Sequence, residues 1–207
     1  MANTNAPFGL RPIRYVDGRA YNGAVDYYFA TGATGVIRPG DPVVESGTTN
    51  TSEVICSVGT FPPGTLQTCT IALDGSGDPI TGVCVSVAAT TRESLTYRET
   101  STDRVIAVAR GYDLIFEGQA DAGGTALAAV DVGLNVVLKA ATTATDLSDW
   151  TVDTSVSPAG TAGYQAKLLG FSKKPKNGDI GAYAVVELLL NNHTLINPAD
   201  AGRSTPI

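Results

Sequence analysis

Histidine, cysteine, methionine and tryptophan are nearly missing from this sequence, which holds one His, three Cys, one Met and one Trp in 207 residues. His193 has no second imidazole to share a metal with, and Cys56, Cys69 and Cys84 show none of the C-x-x-C spacing that holds zinc. A Ser-His-Asp or Cys-His mechanism would have to use His193, yet no G-x-S-x-G or comparable nucleophile context accompanies it. Phosphate-binding glycine patterns are missing as well. No enzyme activity, cofactor or metal is expected on these grounds. The cysteines read as reduced, buried thiols. Cys56 and Cys69 flank an FPPG loop able to close a hairpin, so a bridge between them is the alternative.

Charge is also scarce, at 16% of residues against about 25% in an ordinary domain. The surface must therefore be built largely from Thr, Ser, Asn, Gly and Ala. Lys and Arg number 14 against 20 Asp and Glu, for a net charge of −6, and no basic stripe interleaves with aromatics. Nucleic acid is not an expected partner. Lys173, Lys174 and Lys176 around Pro175 read as a solvated loop tip. No apolar run is long enough to span a bilayer, and MANTNAPFGLRP has no charged region followed by an apolar one, so neither a membrane nor a secretory route is expected.

Carboxylate pairs exist but lack company. Glu93 with Glu99, or Asp113 with Glu117, has no aromatic sugar platform nearby and reads as solvated. Asp74 and Asp78 in DGSGDP offer alternating oxygens of the kind calcium takes, without the later bidentate acid of a full calcium loop; a turn is expected there.

Strands and turns fill the chain. Arg104–Asp121, RVIAVARGYDLIFEGQAD, is the longest strand signal: Ile106, Val108, Tyr112, Leu114 and Phe116 share one face, and Ala107, Ala109, Gly111 and Asp113 the other. The small face allows a second backbone layer to approach closely. Residues 182–190 are apolar on both faces, as a central strand would be. Roughly nine to eleven strand segments separated by short turns, with no long helix, predict an all-β fold: an antiparallel β-barrel or a jelly-roll-like sandwich.

Residues 1–24 carry Phe8, Ile13, Tyr15 and Tyr21 between prolines and glycines and read as an extended arm, or equally as an N-terminal edge strand. The barrel is expected over 25–190, with surface excursions near 88–103 and 140–163. The first has one helical turn around Arg92–Tyr97, and the second folds Trp150 back onto apolar surface. Residues 191–207 read as an irregular C-terminal arm.

The opening NAPFGLRP (Asn5–Pro12), with Tyr15–Gly18 and Tyr21–Gly23, resembles the start of tailed-bacteriophage capsid decoration, cement or head-stabilising proteins. The resemblance covers about the first 25 residues. It implies a β-rich virion protein, made in the host cytoplasm, that sits on the outer capsid surface and bridges neighbouring major capsid subunits. Its partners would be the major capsid protein and itself, as a homodimer or homotrimer. Phe8, Leu10, Arg11, Ile13 and Arg14 are the arm residues expected to touch capsid or a sister subunit. A tail, fibre, receptor-binding or carbohydrate-binding virion component is the alternative; the last would need exposed aromatics, supplied only by Tyr27, Tyr28, Tyr97, Trp150 and Tyr164.

Overall fold

A computed structural model describes residues 3–75, 78–140, 147–173 and 179–194. Among these the strands run in order β1 (Arg11–Tyr15), β2 (Val25–Phe29), β3 (Pro42–Thr49), β4 (Val54–Cys56), β5 (Gly59–Phe61), β6 (Gln67–Ile71), β7 (Gly82–Val87), β8 (Arg104–Arg110) and β9 (Leu114–Gln119). After one short 3-10 turn at Ala129–Asp131 come β10 (Asn135–Val136), β11 (Leu138–Lys139), β12 (Thr151–Val152), β13 (Ala166–Phe171) and β14 (Val185–Leu190). The fold is all-β, as the strand-and-turn pattern predicts.

Two larger structures hold ten of these strands, and β4–β5 and β11–β12 form two small two-stranded sheets. A closed barrel has the order β2-β6-β3-β7-β8, and a five-stranded sheet has the order β1-β9-β14-β13-β10. The segment 25–190 is thus divided between two layers and does not close as a single barrel. An odd number of strands cannot alternate in direction all the way round a ring, so one seam has to be parallel. That seam is β2–β6, paired at Tyr28 and Thr68, and the other four barrel junctions are antiparallel.

The long strand signal spans the division. Residues Arg104–Arg110 belong to the barrel and Leu114–Gln119 to the sheet, with a turn at 111–113 between them. Tyr112, expected on the apolar face, is 43% exposed because it sits in that turn. On the small face, Ala109 is buried in the core between the layers, and within the barrel the neighbouring strand β7 comes so close that a Cβ on Gly82 would collide with the Ala109 carbonyl.

Two packed clusters result. Tyr27, Phe29, Ile37, Val43, Cys69, Cys84, Ile106 and Val108 fill the barrel. The larger cluster lies between barrel and sheet, where Ala72, Ile80, Val83 and Ala109 meet Leu114, Phe116, Trp150, Leu168, Val186 and Leu188. β14 lies between β9 and β13 and is buried over most of its length, as its apolar run requires.

Several local expectations are corrected. The hairpin next to Cys56 closes at Ser57–Val58, joining β4 to β5, and the FPPG loop instead leads from β5 to β6. Cys56, Cys69 and Cys84 are all free thiols, so the bridged alternative falls; Cys56 is half-buried and the other two are buried. Around Arg92–Tyr97 the chain makes turns held by the Ser94 hydroxyl, with no helix. Within that excursion Arg98 is fully buried. Its guanidinium lies 4.6 Å from the Phe29 ring and donates to the carbonyls of Ala30, Ala33, Gly35 and Thr102. Glu117, expected in solvent, is 3% exposed and accepts a 2.8 Å bond from the Ser172 hydroxyl, while Glu93 and Glu99 are exposed.

Trp150 is 2% exposed, folded back as its surroundings demanded. The C-terminal arm does not begin at 191: Asn191, Asn192 and His193 are buried, and His193 bridges to Ile80. Residues 195–207, the lysine loop at 174–178, the middle of DGSGDP and 141–146 lie outside the described residues.

Candidate partner-binding surface

Proline and glycine keep residues 3–10 out of regular pairing, so this segment is held side chain by side chain. The Asn3 amide donates to the carbonyls of Asp179 and Ala182 at 2.7 and 3.0 Å. Gln119, fully buried, donates to the Thr4 carbonyl at 2.8 Å and accepts from the Ala6 N–H at 3.0 Å. Gly9, at φ +70, abuts Gly40: a Cβ on Gly40 would come within 2.7 Å of the Phe8 carbonyl, and the Leu10 N–H donates to the Gly40 carbonyl at 2.9 Å. From Arg11 onward β1 pairs antiparallel with β9, and the Arg14 guanidinium meets the Glu187 carboxylate at 2.7 Å. The arm is therefore both a strap and an edge strand.

Of the five residues expected to meet a partner, Leu10 is taken away. It is 2% exposed inside the core between the layers, lodged over Gly118, whose missing Cβ makes room for it. Gly9 before it is buried at φ +70 against Gly40, and Arg11 after it is exposed. Arg11 is exposed, and Phe8, Ile13 and Arg14 are half-buried. The Arg11 guanidinium stacks 4.7 Å from the Phe8 ring, an arrangement that keeps both presented at the surface.

Beside this pair opens a cleft of about 450 Å³. The arm supplies Phe8, Pro12 and Tyr21, the barrel supplies Pro39, Gly40 and Val85, and Leu147, 67% exposed, stands opposite. Nothing in the sequence marked Leu147 or Val85 as part of a binding surface, because the cleft exists only where the strap crosses the barrel. Its walls are apolar, with Arg11 as the charged group in its lining. Close by, burial pushes the Asp41 carboxyl up to about 6, against the opposing pull of Ser148, the Arg38 N–H and the Arg38 charge.

A second cavity of about 440 Å³ has a mixed lining that includes the polar side chains of Asn5, Asp121, Lys139, Asp149 and Thr151. Burial works against the Asp121 carboxylate, yet bonds from Thr154 and the Gly123 N–H, with Lys139 at 3.8 Å, hold it below its ordinary value. Among the described residues no three His, Cys, Asp or Glu side chains are grouped to hold a metal ion. His193 is fully buried, and that burial lowers its pKa against the opposing effect of a backbone bond at Thr81. No helix among the described residues is long and apolar enough to cross a membrane. Tyr27 and Trp150 are buried, which removes two of the five aromatics that a sugar platform would need.

The chain is thus an all-β protein of two packed layers that carries an apolar, strap-lined cleft. No family model matches it, and no curated protein or solved structure shows a significant similarity to it.

Proposed function

We propose that this chain is a structural virion protein of a tailed phage, placed on the outer capsid surface, where it stabilises the shell by bridging neighbouring major capsid subunits as a homodimer or homotrimer. The observation that carries the reading is the outward pair Phe8–Arg11 beside an open apolar cleft of about 450 Å³, in the very segment, NAPFGLRP, that resembles capsid decoration proteins. A groove with an aromatic and an arginine at its rim has the make-up of an interface centre, where those residue types are enriched. A surface low in charge suits a lattice in which many identical copies lie side by side.

Removing residues 1–16 would be a poor test, because it deletes β1 and the core residue Leu10 along with the surface. The better variant is Phe8→Ala with Arg11→Ala, which keeps the Leu10 anchor and puts no second carboxylate opposite Glu117 across the β1–β9 ladder. Purified protein is mixed with undecorated capsid shells, sedimented, and its mass measured by light scattering. Wild-type protein co-pellets as a dimer or trimer, and the double variant binds at least about tenfold more weakly, the loss of one or two interface anchors. Wild-type protein that stays in the supernatant overturns the proposal, and tail assembly and glycan binding are tested next.

A further inference from the structure

Asn22 and Gly23 lie in the short segment that joins the turn after β1 to the first residue of β2. Both are exposed and neither belongs to a strand. Gly23 has φ +97, and a Cβ built on it would meet nothing within 4 Å. An asparagine followed by glycine in such an open segment can react with its own backbone, because no Cβ on the next residue obstructs the approach of that residue's nitrogen. Among the described residues several other asparagines are held. Asn50 is buried with its amide bonded to the carbonyls of Ser52 and Pro62. Asn135 and Asn191 are buried with their amides on the carbonyls of Thr161 and of Ala162 and Tyr164. Asn5 is exposed, but the following nitrogen, of Ala6, is occupied by Gln119. Among the described residues only Asn22 precedes glycine.

We infer that Asn22 is a site of spontaneous self-modification. The Gly23 backbone nitrogen attacks Cγ of Asn22, and a new N–C bond closes a five-membered succinimide. The Cγ–Nδ2 bond breaks, and Nδ2 leaves as ammonia carrying the proton given up by the Gly23 nitrogen. Water then opens the ring at either carbonyl, leaving aspartate, or isoaspartate with the main chain routed through the former side chain. One negative charge appears next to Tyr21, which lines the apolar cleft. In the isoaspartate product the link between strap and barrel is also one methylene longer. The chemistry does not depend on the capsid reading.

Full-length protein is held for several days at pH 8 and 37 °C, then cut with chymotrypsin and mapped by mass across residues 20–30, with isoaspartate labelled by its methyltransferase. A synthetic peptide of residues 16–28 is treated alongside. The expected result is a gain of about 1 Da at Asn22 in the folded protein with isoaspartate the main product, slowed about tenfold or more at pH 6 and by Gly23→Ala, where the added Cβ hinders attack. Asn22→Gln, which leaves the backbone at Gly23 unstrained, removes the signal. An unchanged Asn22 in the folded protein while the peptide converts would overturn the inference, since the fold would then protect the site; conversion at other asparagines with Asn22 intact would do the same.

Discussion

Asp41 carries an electrostatic cost that its turn imposes. Its backbone is committed on both sides, with the Cys84 N–H donating to its carbonyl at 2.9 Å and its carboxylate accepting the Arg38 N–H at 2.7 Å. The side chain is 1% exposed, and burial raises its pKa from 3.8 to about 6. A raised folded-state value means that the fold favours the protonated acid: this contribution is fully present below about pH 4 and is lost as pH rises through about 6. Asp41→Asn should therefore be more stable than wild type at pH 7.5, by about 1–3 kcal/mol, with the difference closing toward pH 4. Urea unfolding at both pH values checks this, and an equal difference at the two would exclude Asp41 as the cause. Arg98 makes the opposite case, since its buried charge is spread over four carbonyls. Arg98→Ala should cost about 3–5 kcal/mol. Arg98→Lys should recover little, because an ammonium cannot reproduce the planar fork.

The strap depends on close backbone approach. Gly9 sits at φ +70 with the Gly40 carbonyl 2.5 Å from where a Cβ would stand. Both conformation and space forbid a side chain, so Gly9→Ala should lift residues 3–9 off the body at a cost of about 2–4 kcal/mol. Limited proteolysis should then cut near Phe8 in the variant while the barrel stays intact; unchanged protection would show that the strap tolerates the shift. The same element shows what could be read in advance. Prolines and apolar residues marked residues 1–24 as extended and unable to remain in water; Phe8, Leu10, Ile13 and Tyr15 are buried or half-buried, whereas residues 16–20 and 22–24 are exposed. Which face each side chain would take was hidden, because irregular backbone has no fixed period. Leu10 went inward for that reason. In Arg104–Asp121 a two-residue period was read straight through the turn at 111–113, so one strand was read where there are two, and its large side chains enter different cores: Ile106 and Val108 fill the barrel, while Leu114 and Phe116 join Ala109 between the layers.

Barrel and sheet share one core, and this should make them unfold together. Ala72, Ile80, Val83 and Ala109 come from the barrel side, and Leu114, Phe116 and Trp150 from the other. Phe116→Ala should cost about 3–5 kcal/mol. In wild type and variant alike, Trp150 fluorescence and far-UV circular dichroism should trace a single coincident transition. Two separated midpoints would mean that the layers are independent. The all-β class, the central place of β14 and the burial of Trp150 were legible because each follows from local patterning and apolarity. The division into two layers and the parallel seam were not, since pairings such as Arg11 with Glu117 or Tyr28 with Thr68 join residues far apart in sequence.

Those distant pairings also set a timetable. β1 has no partner until β9 exists, and the ladder between them begins at Glu117. At about 5–20 residues per second of synthesis, the strap waits on the order of 5–20 s on the ribosome with Phe8, Leu10 and Ile13 uncovered. The barrel, whose last strand ends at Arg110, is finished first. The strap is thus made before the barrel and placed after it, and a chaperone that shields short apolar segments would find its binding site at Phe8–Ile13.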